Sequence, residues 1–281
     1  MTTSNPPLSR SSSGVSGRFA VRGVALTYLA VMLIIPLAVI LQDGLRGGLE
    51  GIWRTVTQPV AWHALMLTLW TAAVMALINA VMGMLTAYVL VRYNFPGKAL
   101  LNAVVDLPFA IPTLVTGVTL VVLYGPQRAL GAWLDRTLGL QVIFAPPGII
   151  LALLFVTFPF VVRAIQPVLM GLDREQEDAA ATMGAGAWTT FRRVVLPALA
   201  LPLISGTLLS FARAVGEFGA IVVVAGNIPL RSQTAAVFVF GEIESENQRG
   251  ASAMSVVLLA LAFGLVVLVD LLQRRGREEA R

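Results

Sequence analysis

The chain has 281 residues, of which 57% are hydrophobic and only 12% are charged, with a mean hydropathy of +0.82 and a net charge of +5. Soluble domains carry about 25% charged residues, so this composition excludes a water-soluble globular fold. The lack of cysteine excludes disulfides, thiolate metal sites and thiol nucleophiles, and the single histidine, His63, excludes a histidine-rich metal cluster. No basic stripe with interleaved aromatic residues lies outside the apolar runs, so nucleic acid is not an expected partner.

The N-terminal part combines a polar tail with a long apolar run. Residues 1–18 are rich in Ser, Pro, Gly and Arg, which predicts a disordered tail. The apolar run over residues 19–41 is too long for the core of a signal peptide and long enough to cross a membrane. We therefore predict a first transmembrane helix that stays in the mature protein, followed by a loop that ends at residue 59.

Five further apolar runs have spanning length at about 1.5 Å per residue. They cover residues 64–91, 107–124, 148–170, 200–225 and 253–272. The predicted fold is an all-α integral membrane protein with six transmembrane helices, surrounded by lipid, with both termini on the same side.

The distribution of Lys and Arg predicts which side that is. Thirteen of them lie in the N-terminal tail, the second and fourth loops and the C-terminal tail, against six in the other three loops. Cytoplasmic segments carry the excess of positive charge, so both termini are predicted to be cytoplasmic. Residues 274–281 then form a basic cytoplasmic tail.

Two prolines lie in the third span. Pro108 and Pro112 each lack the backbone N–H donor and force a kink, whose freed carbonyls neighbouring helices must satisfy. One interpretation is a structural kink at the start of a helix. The other is a broken helix that lines the path of a substrate.

The cytoplasmic segment 173–197 carries the most informative pattern. Acidic residues in a first helical turn precede Ala-rich helix formers, and Gly184 ends this helix. A second short helix is predicted to place Trp188 and Phe191 on one face, and Leu196-Pro197 to open the next span. Small side chains give the first helix a smooth face that suits a groove on another protein: Ala179, Ala180 and Met183. Its acidic character argues against a helix that rests on the membrane surface.

The spacing Asp178-Ala-Ala, three residues, Gly184, nine residues, Val194, one residue, Leu196-Pro197 resembles the EAA signature of ABC-importer permeases. In that family the segment docks into a cleft of the partner ATPase. The first position is Asp where the signature has Glu, and Glu177 lies one residue earlier. The resemblance therefore implies an ATPase-coupling role for Glu177, Asp178, Ala179, Ala180, Met183, Gly184, Leu196 and Pro197.

Four more segments narrow the resemblance to the T-type permease subunit of bacterial sulfate/thiosulfate importers, over about residues 20–273. They are Arg92-Tyr-Asn-Phe-Pro-Gly97, Asp106-Leu-Pro-Phe-Ala-Ile-Pro-Thr113, Phe158-Pro-Phe-Val-Val-Arg-Ala-Ile-Gln-Pro-Val168 and Gly216-Glu-Phe-Gly-Ala220. The resemblance implies the type I ABC importer permease fold, with the transmembrane domain over residues 60–273, and a location in the plasma (inner) membrane of a bacterium. Ala225-Gly-Asn-Ile-Pro229 with Gln233-Thr234 also resembles the molybdate permease, so a molybdate/tungstate importer is the alternative.

The same resemblance implies the assembly. Its members are a homologous W-type permease, two copies of a cytoplasmic ATPase and an extracytoplasmic sulfate-binding protein. The sequence contains no Gly-x-x-x-x-Gly-Lys-Ser/Thr phosphate loop, so this chain is not expected to be an enzyme or to bind a cofactor. ATP and Mg are then held by the partner ATPase.

Two charges, Arg213 and Glu217, lie four residues apart in the fifth span. Each costs roughly 2.5–3.5 kcal/mol near the centre of a bilayer, so both need a compensating interaction. One interpretation is mutual neutralisation between packed helices. The other places Arg213 on the translocation pathway as a weakly hydrated donor to an oxyanion. Arg163 and Gln166 are expected at the membrane edge, with the Arg163 side chain extended towards water.

Two other classes of function fit the sequence less well. A secondary transporter driven by an ion gradient also places charges in its spans, but it does not need a docking helix pair in one cytoplasmic loop. An intramembrane enzyme needs acid and base groups, and the spans offer no Cys and no paired carboxylates for that role.

Overall fold

The computed structural model describes residues 14–279, so residues 1–13 of the predicted tail, and residues 280–281 at the other end, lie outside the described residues. Residues 14–279 contain helices and no β-strand. The helices are α1 Gly14–Leu29, α2 Ile35–Leu45, α3 Gly48–Val56, α4 Pro59–Arg92, α5 Lys98–Ala110, α6 Thr113–Tyr124, α7 Ala129–Leu138, α8 Pro146–Gly171, α9 Arg174–Thr182, α10 Ala187–Thr190, α11 Leu196–Val215, α12 Gly219–Val224, α13 Ala235–Glu244 and α14 Gln248–Glu279. π-helical turns join α1 to α2 and α10 to α11.

Five long helices of this part of the chain are apolar enough to cross a membrane, and α5 with α6 makes a sixth if the bent pair counts as one span. The third predicted span, 107–124, is interrupted, and the bend lies at Pro112, one of the two prolines that predicted a kink. The chain bends by 109° between α5 and α6. The physical reason is Pro112, which lacks an N–H donor and holds Ile111 in an extended conformation. Pro108 lies inside α5, which continues to Ala110.

The fifth predicted span, 200–225, also differs from the structure. A continuous helix runs from Ala187 to Val215, so Leu196-Pro197 do not open a new span. The residues at both ends of the π-helical turn have right-handed helical dihedral angles, so the helix is not broken there. The turn lies just before Pro197, which has no N–H group to donate a helical hydrogen bond. At its other end the helix stops at Val215, and the separate helix α12 follows.

The long helices define two ends of the bundle. At the coupling end, α4 and α8 finish, and hydrogen bonds from Arg92 to the Leu172 carbonyl and from Arg174 to the Arg92 carbonyl tie them together. At the opposite end, the start of α4 packs with α13 and with Met254 of α14. The chain enters through α1 and leaves through α14, and α2 and the start of α14 meet at Gly44 and Ser252. Both Gly14 and Glu279 therefore lie towards the coupling end.

Two apolar cores follow one another along the bundle. One joins α4, α8, α11 and α12 in the half towards the opposite end, and the other joins α4, α5, α8 and α11 in the half towards the coupling end. Asn79 lies between them, where its Nδ2 donates to Thr157 Oγ1 at 3.0 Å. Both side chains are buried, and such polar contacts hold helices together where lipid provides no hydrophobic drive.

Candidate coupling surface and charged groups in the membrane

Helix α9 forms as its sequence predicts. Asp173 precedes the helix, and its Oδ1 accepts from the N–H of Glu175 at 3.0 Å, which satisfies one of the free donors at a helix start. Glu175 and Glu177 in the first turn complement the helix dipole. The helix ends at Thr182, and Gly184 follows with a φ of +84°, in the left-handed region that glycine adopts without a steric penalty.

The turn presents a protruding apolar surface, defined here as the coupling surface: Ala179, Met183 and Trp188. Met183 is 82% exposed and Trp188 is 72% exposed. The Trp188 ring stacks on Phe191 at 5.7 Å, and Phe191 meets Tyr88 of α4 edge to face at 5.6 Å. An aromatic chain thus connects the exposed surface to the bundle. Ala180 is buried, so it faces the bundle and does not belong to the predicted exposed face.

The two acidic residues at the start of the EAA-like pattern have different surroundings. Glu177 forms an ion pair with Arg92 at the end of α4, and both side chains are mostly buried. Asp178 is exposed and forms no ion pair within residues 14–279. Glu177 therefore anchors α9 to α4, and Asp178 is free to meet a partner. The predicted coupling residues Leu196 and Pro197 lie in the first turn of α11.

Arg213 and Glu217 are close together, as their spacing predicts. Arg213 Nη1 lies 2.7 Å from Glu217 Oε2, with 37% of the Arg213 side chain and 2% of the Glu217 side chain exposed. The other oxygen, Glu217 Oε1, accepts from the N–H of Ala220 at 2.9 Å. Glu217 thus neutralises Arg213 and also caps the start of α12. In the part of the chain that the structure describes, the Arg213 guanidinium has no further polar partner.

Pro112 lies close to the Arg213–Glu217 pair in the fold, since the starts of α6 and α12 meet. A Cβ on Gly219 would lie 2.3 Å from Thr113 Oγ1, so only glycine fits there. A Cβ on Gly117 would lie 2.6 Å from the Ala220 carbonyl oxygen, so glycine there lets the two short helices touch along their backbones. Two interrupted spans therefore meet within the bundle, and Pro108 lies apart from them inside α5.

Arg163 does not extend to the membrane edge, so that prediction is wrong. Its Nε donates to Asp106 Oδ1 at 2.7 Å, and its Nη2 pairs with Asp106 Oδ2. Nη1 donates to Asn102 Oδ1 at 3.1 Å and to Gln166 Oε1, and Nη2 also donates to the Asn102 carbonyl at 3.2 Å. The Asp106 carboxylate of α5 holds the guanidinium at the contact between the two helices. The sequence feature that could have predicted this cluster is Asp106, an acidic residue inside the apolar stretch of α5, which needs a cationic partner.

Comparison with known proteins identifies the family. The family described as "Binding-protein-dependent transport system inner membrane component" matches residues 79–278. The probable sulfate transport system permease protein cysT of Nephroselmis olivacea is 43% identical over 255 residues, which cover 91% of this chain and 89% of that protein. The chain belongs to the CysT-type permeases of this family. The sulfate transport system permease protein CysT of Escherichia coli (strain K12) is 38% identical to the permease, over 90% of this chain and 91% of that protein.

A solved structure supports the fold of the permease. A chain of a bacterial alginate ABC transporter, in complex with an alginate pentasaccharide-bound periplasmic protein, superposes with a TM-score of 0.74 at 15% identity. The match covers 92% of this chain and 93% of that chain. The prediction of an all-α importer permease fold is confirmed. The permease is a multi-pass, non-catalytic membrane subunit, and its family works with a separate ATPase and a binding protein.

The different surroundings of the two acids predict different effects of their removal. In the Glu177→Gln variant, Arg92 keeps its charge in a mostly buried place without its ion-pair partner, and we expect the purified permease to unfold at a lower temperature. Asp178→Asn is the matched control, because Asp178 is exposed, and we expect its unfolding temperature to be unchanged while ATPase binding weakens. Thermal unfolding and co-purification measure the two effects. Equal unfolding temperatures for both variants would contradict the anchoring role of Glu177.

Proposed function

We propose that this permease forms the membrane channel of an ATP-driven importer for sulfate and thiosulfate. The observation that carries the proposal is the identity of 38–43% to permeases of sulfate transport systems, over about 90% of both chains. Identity that extends over the whole membrane domain includes the pathway as well as the coupling surface. An ATPase-coupled importer also gives the exposed Met183 and Trp188 a partner, which a secondary transporter does not.

The proposed assembly pairs this permease with a homologous W-type permease, two copies of a cytoplasmic ATPase and an extracytoplasmic sulfate-binding protein. The coupling surface, with Asp178 and the turn at Gly184, enters a groove of one ATPase subunit. The ATPase holds ATP and Mg, and this chain binds no cofactor. The opposite end of the bundle faces the binding protein, which delivers the anion.

Arg213 is the proposed contact of this chain with the anion. Seventeen residues separate it from Leu196, so it lies about 25 Å from the start of α11, in the half of the bundle that the anion reaches first. Its guanidinium is partly exposed and engages one carboxylate oxygen, which leaves donors for an oxyanion. Glu217 limits how tightly the anion is held, and a permease must release its cargo.

The proposed orientation places both termini and the coupling surface in the cytoplasm. Single cysteines in this cysteine-free chain test it directly with an impermeant thiol reagent. We expect labelling from outside at Asp135→Cys in α7 and at Glu244→Cys at the end of α13, and no labelling at Thr182→Cys in α9. Labelling of position 182 in intact cells would reverse the orientation and remove the contact with a cytoplasmic ATPase.

Co-purification tests the proposed function. The four proposed subunits are expressed together, and the complex is isolated through a tag on this permease. We expect the ATPase to remain bound and its rate of ATP hydrolysis to rise with sulfate-loaded binding protein more than with molybdate-loaded binding protein. A complex that responds only to molybdate would assign the alternative substrate.

A further inference from the structure

The cluster around Arg163 joins two helices inside the membrane. Arg163 lies eight residues before the end of α8 and Asp106 lies eight residues after the start of α5, so each is about 12 Å along its helix from the coupling end. The side chains remain 32% and 47% exposed in this chain. A charged pair at this depth is costly in lipid, so this face is turned towards protein or water.

The geometry excludes Arg163 as a donor to the transported anion. A guanidinium has five N–H groups, and all five are engaged: two by the Asp106 carboxylate, two by Asn102 and one by Gln166. Arg213 offers the contrast, since it engages one carboxylate oxygen. An anion at Arg163 would have to displace a bidentate carboxylate, which is among the strongest pairings of a guanidinium.

We propose that Arg163, Asp106 and Asn102 form a polar lock that fixes α5 to α8 and makes both helices move together with the coupling surface. The inference rests on the proposed function as an ATP-driven importer, and it adds three positioning residues to it. The lock acts through helix position, and none of its residues touches the anion.

The connections of α5 explain why a lock is needed. The bend of 109° at Pro112 separates α5 from α6, so the peptide chain does not hold the two halves of this span in line. In the other direction, α8 continues through Leu172 and Asp173 into α9, which carries the coupling surface. Val105 of α5 shares an apolar core with Val162 and Ile165 of α8, but apolar burial is non-directional and does not by itself fix one register. A bidentate pair with an additional amide fixes the register of the two helices.

The test is the amount of anion transported per ATP hydrolysed in proteoliposomes. In the Arg163→Leu, Asp106→Leu double variant no charge is left alone, so we expect the complex to assemble and to hydrolyse ATP. Transport per ATP should fall about tenfold, within the usual range of coupling between two sites. The matched control, Arg274→Leu with Asp270→Leu, removes an ion pair inside one helix and should leave the ratio unchanged.

In a second experiment, a covalent link between α5 and α8 replaces the lock. Cysteines at Asn102 and Gln166, whose side chains meet at 3.3 Å, are joined by a short bifunctional thiol reagent in the double-leucine variant. We expect the link to restore transport per ATP to within about twofold of wild type. A normal ratio without the link, or no recovery with it, overturns the lock. A raised KM for the anion with an unchanged ratio would make Arg163 an anion contact and would also overturn it.

A distance measurement that needs no transported anion tests the lock independently of which anion the permease carries. Spin labels at Ala99→Cys in α5 and Thr182→Cys in α9 report the distance between the two helices during ATP turnover. We expect one distance throughout the cycle in the otherwise wild-type chain and a broad distribution in the double-leucine variant. A broad distribution in both overturns the lock. Sulfate transport by the wild-type complex is measured in the same vesicles. If the wild-type complex does not transport sulfate, only the proposed cargo is contradicted, because the spin-label distances do not depend on the anion.

Discussion

The Arg213→Met, Glu217→Gln double variant is expected to assemble normally and to take up sulfate about 10- to 100-fold more slowly than wild type, since a hydrogen bond to a charged group contributes about 1.5–3 kcal/mol. The design follows from the two contacts of Glu217. A glutamine keeps an oxygen that accepts from the Ala220 N–H, so the start of α12 stays capped while the charge is removed. Radiolabelled sulfate uptake and the yield of intact complex are measured together.

The single variants provide the comparison for this experiment. Arg213→Met leaves the carboxylate of Glu217 buried without its cation, which costs about 3–5 kcal/mol and lowers the yield of the complex. Glu217→Gln leaves the more exposed Arg213 charged, so its yield should fall less. Full uptake by the double variant would leave mutual neutralisation as the whole role of the pair and would remove Arg213 from the pathway.

The Gly184→Val variant is expected to lose most sulfate uptake and most of its bound ATPase. Valine at a φ of +84° is strained by about 1–3 kcal/mol, so the turn between α9 and α10 rearranges and the coupling surface changes shape. No atom lies within 4 Å of the position a Cβ would take, so the effect comes from the backbone and not from a clash. Uptake and co-purification of the ATPase measure it.

Gly186→Val is the matched control, because it lies in the same turn with a φ of −72° and equally open surroundings. We expect it to transport at the wild-type rate, since valine readily adopts an extended conformation. Normal uptake by Gly184→Val, or equal losses in both variants, would contradict the role of the left-handed turn in docking.

Much of this architecture follows from the sequence. Long apolar runs predicted the spans of α4, α8 and α14, because the length of an apolar helix is set by the thickness of the bilayer. The acidic first turn predicted the start of α9 and Gly184 predicted its end, since capping and left-handed turns depend on local residues. The spacing of Arg213 and Glu217 predicted their ion pair for the same reason.

The remaining differences arise from contacts between distant parts of the chain. Pro112 predicted a kink, but apolarity is the same on both sides of it, so the sequence did not show that the bend reaches 109°. Arg163 and Asp106 are 57 residues apart, and only the packing of α5 on α8 brings them together. Ala180 belongs to the small-residue face of α9, yet the contact of α9 with the bundle decides that it is buried.

Uptake into proteoliposomes tests the central claim most directly. The complex of this permease, its proposed partner permease and the ATPase is reconstituted, with radiolabelled sulfate and binding protein on one side and ATP on the side of the coupling surface. We predict sulfate accumulation that requires both ATP and the binding protein, continues without any ion gradient, and is not matched by molybdate. Accumulation driven by an ion gradient without ATP, or accumulation of molybdate alone, would contradict the assignment of this chain as a sulfate importer permease.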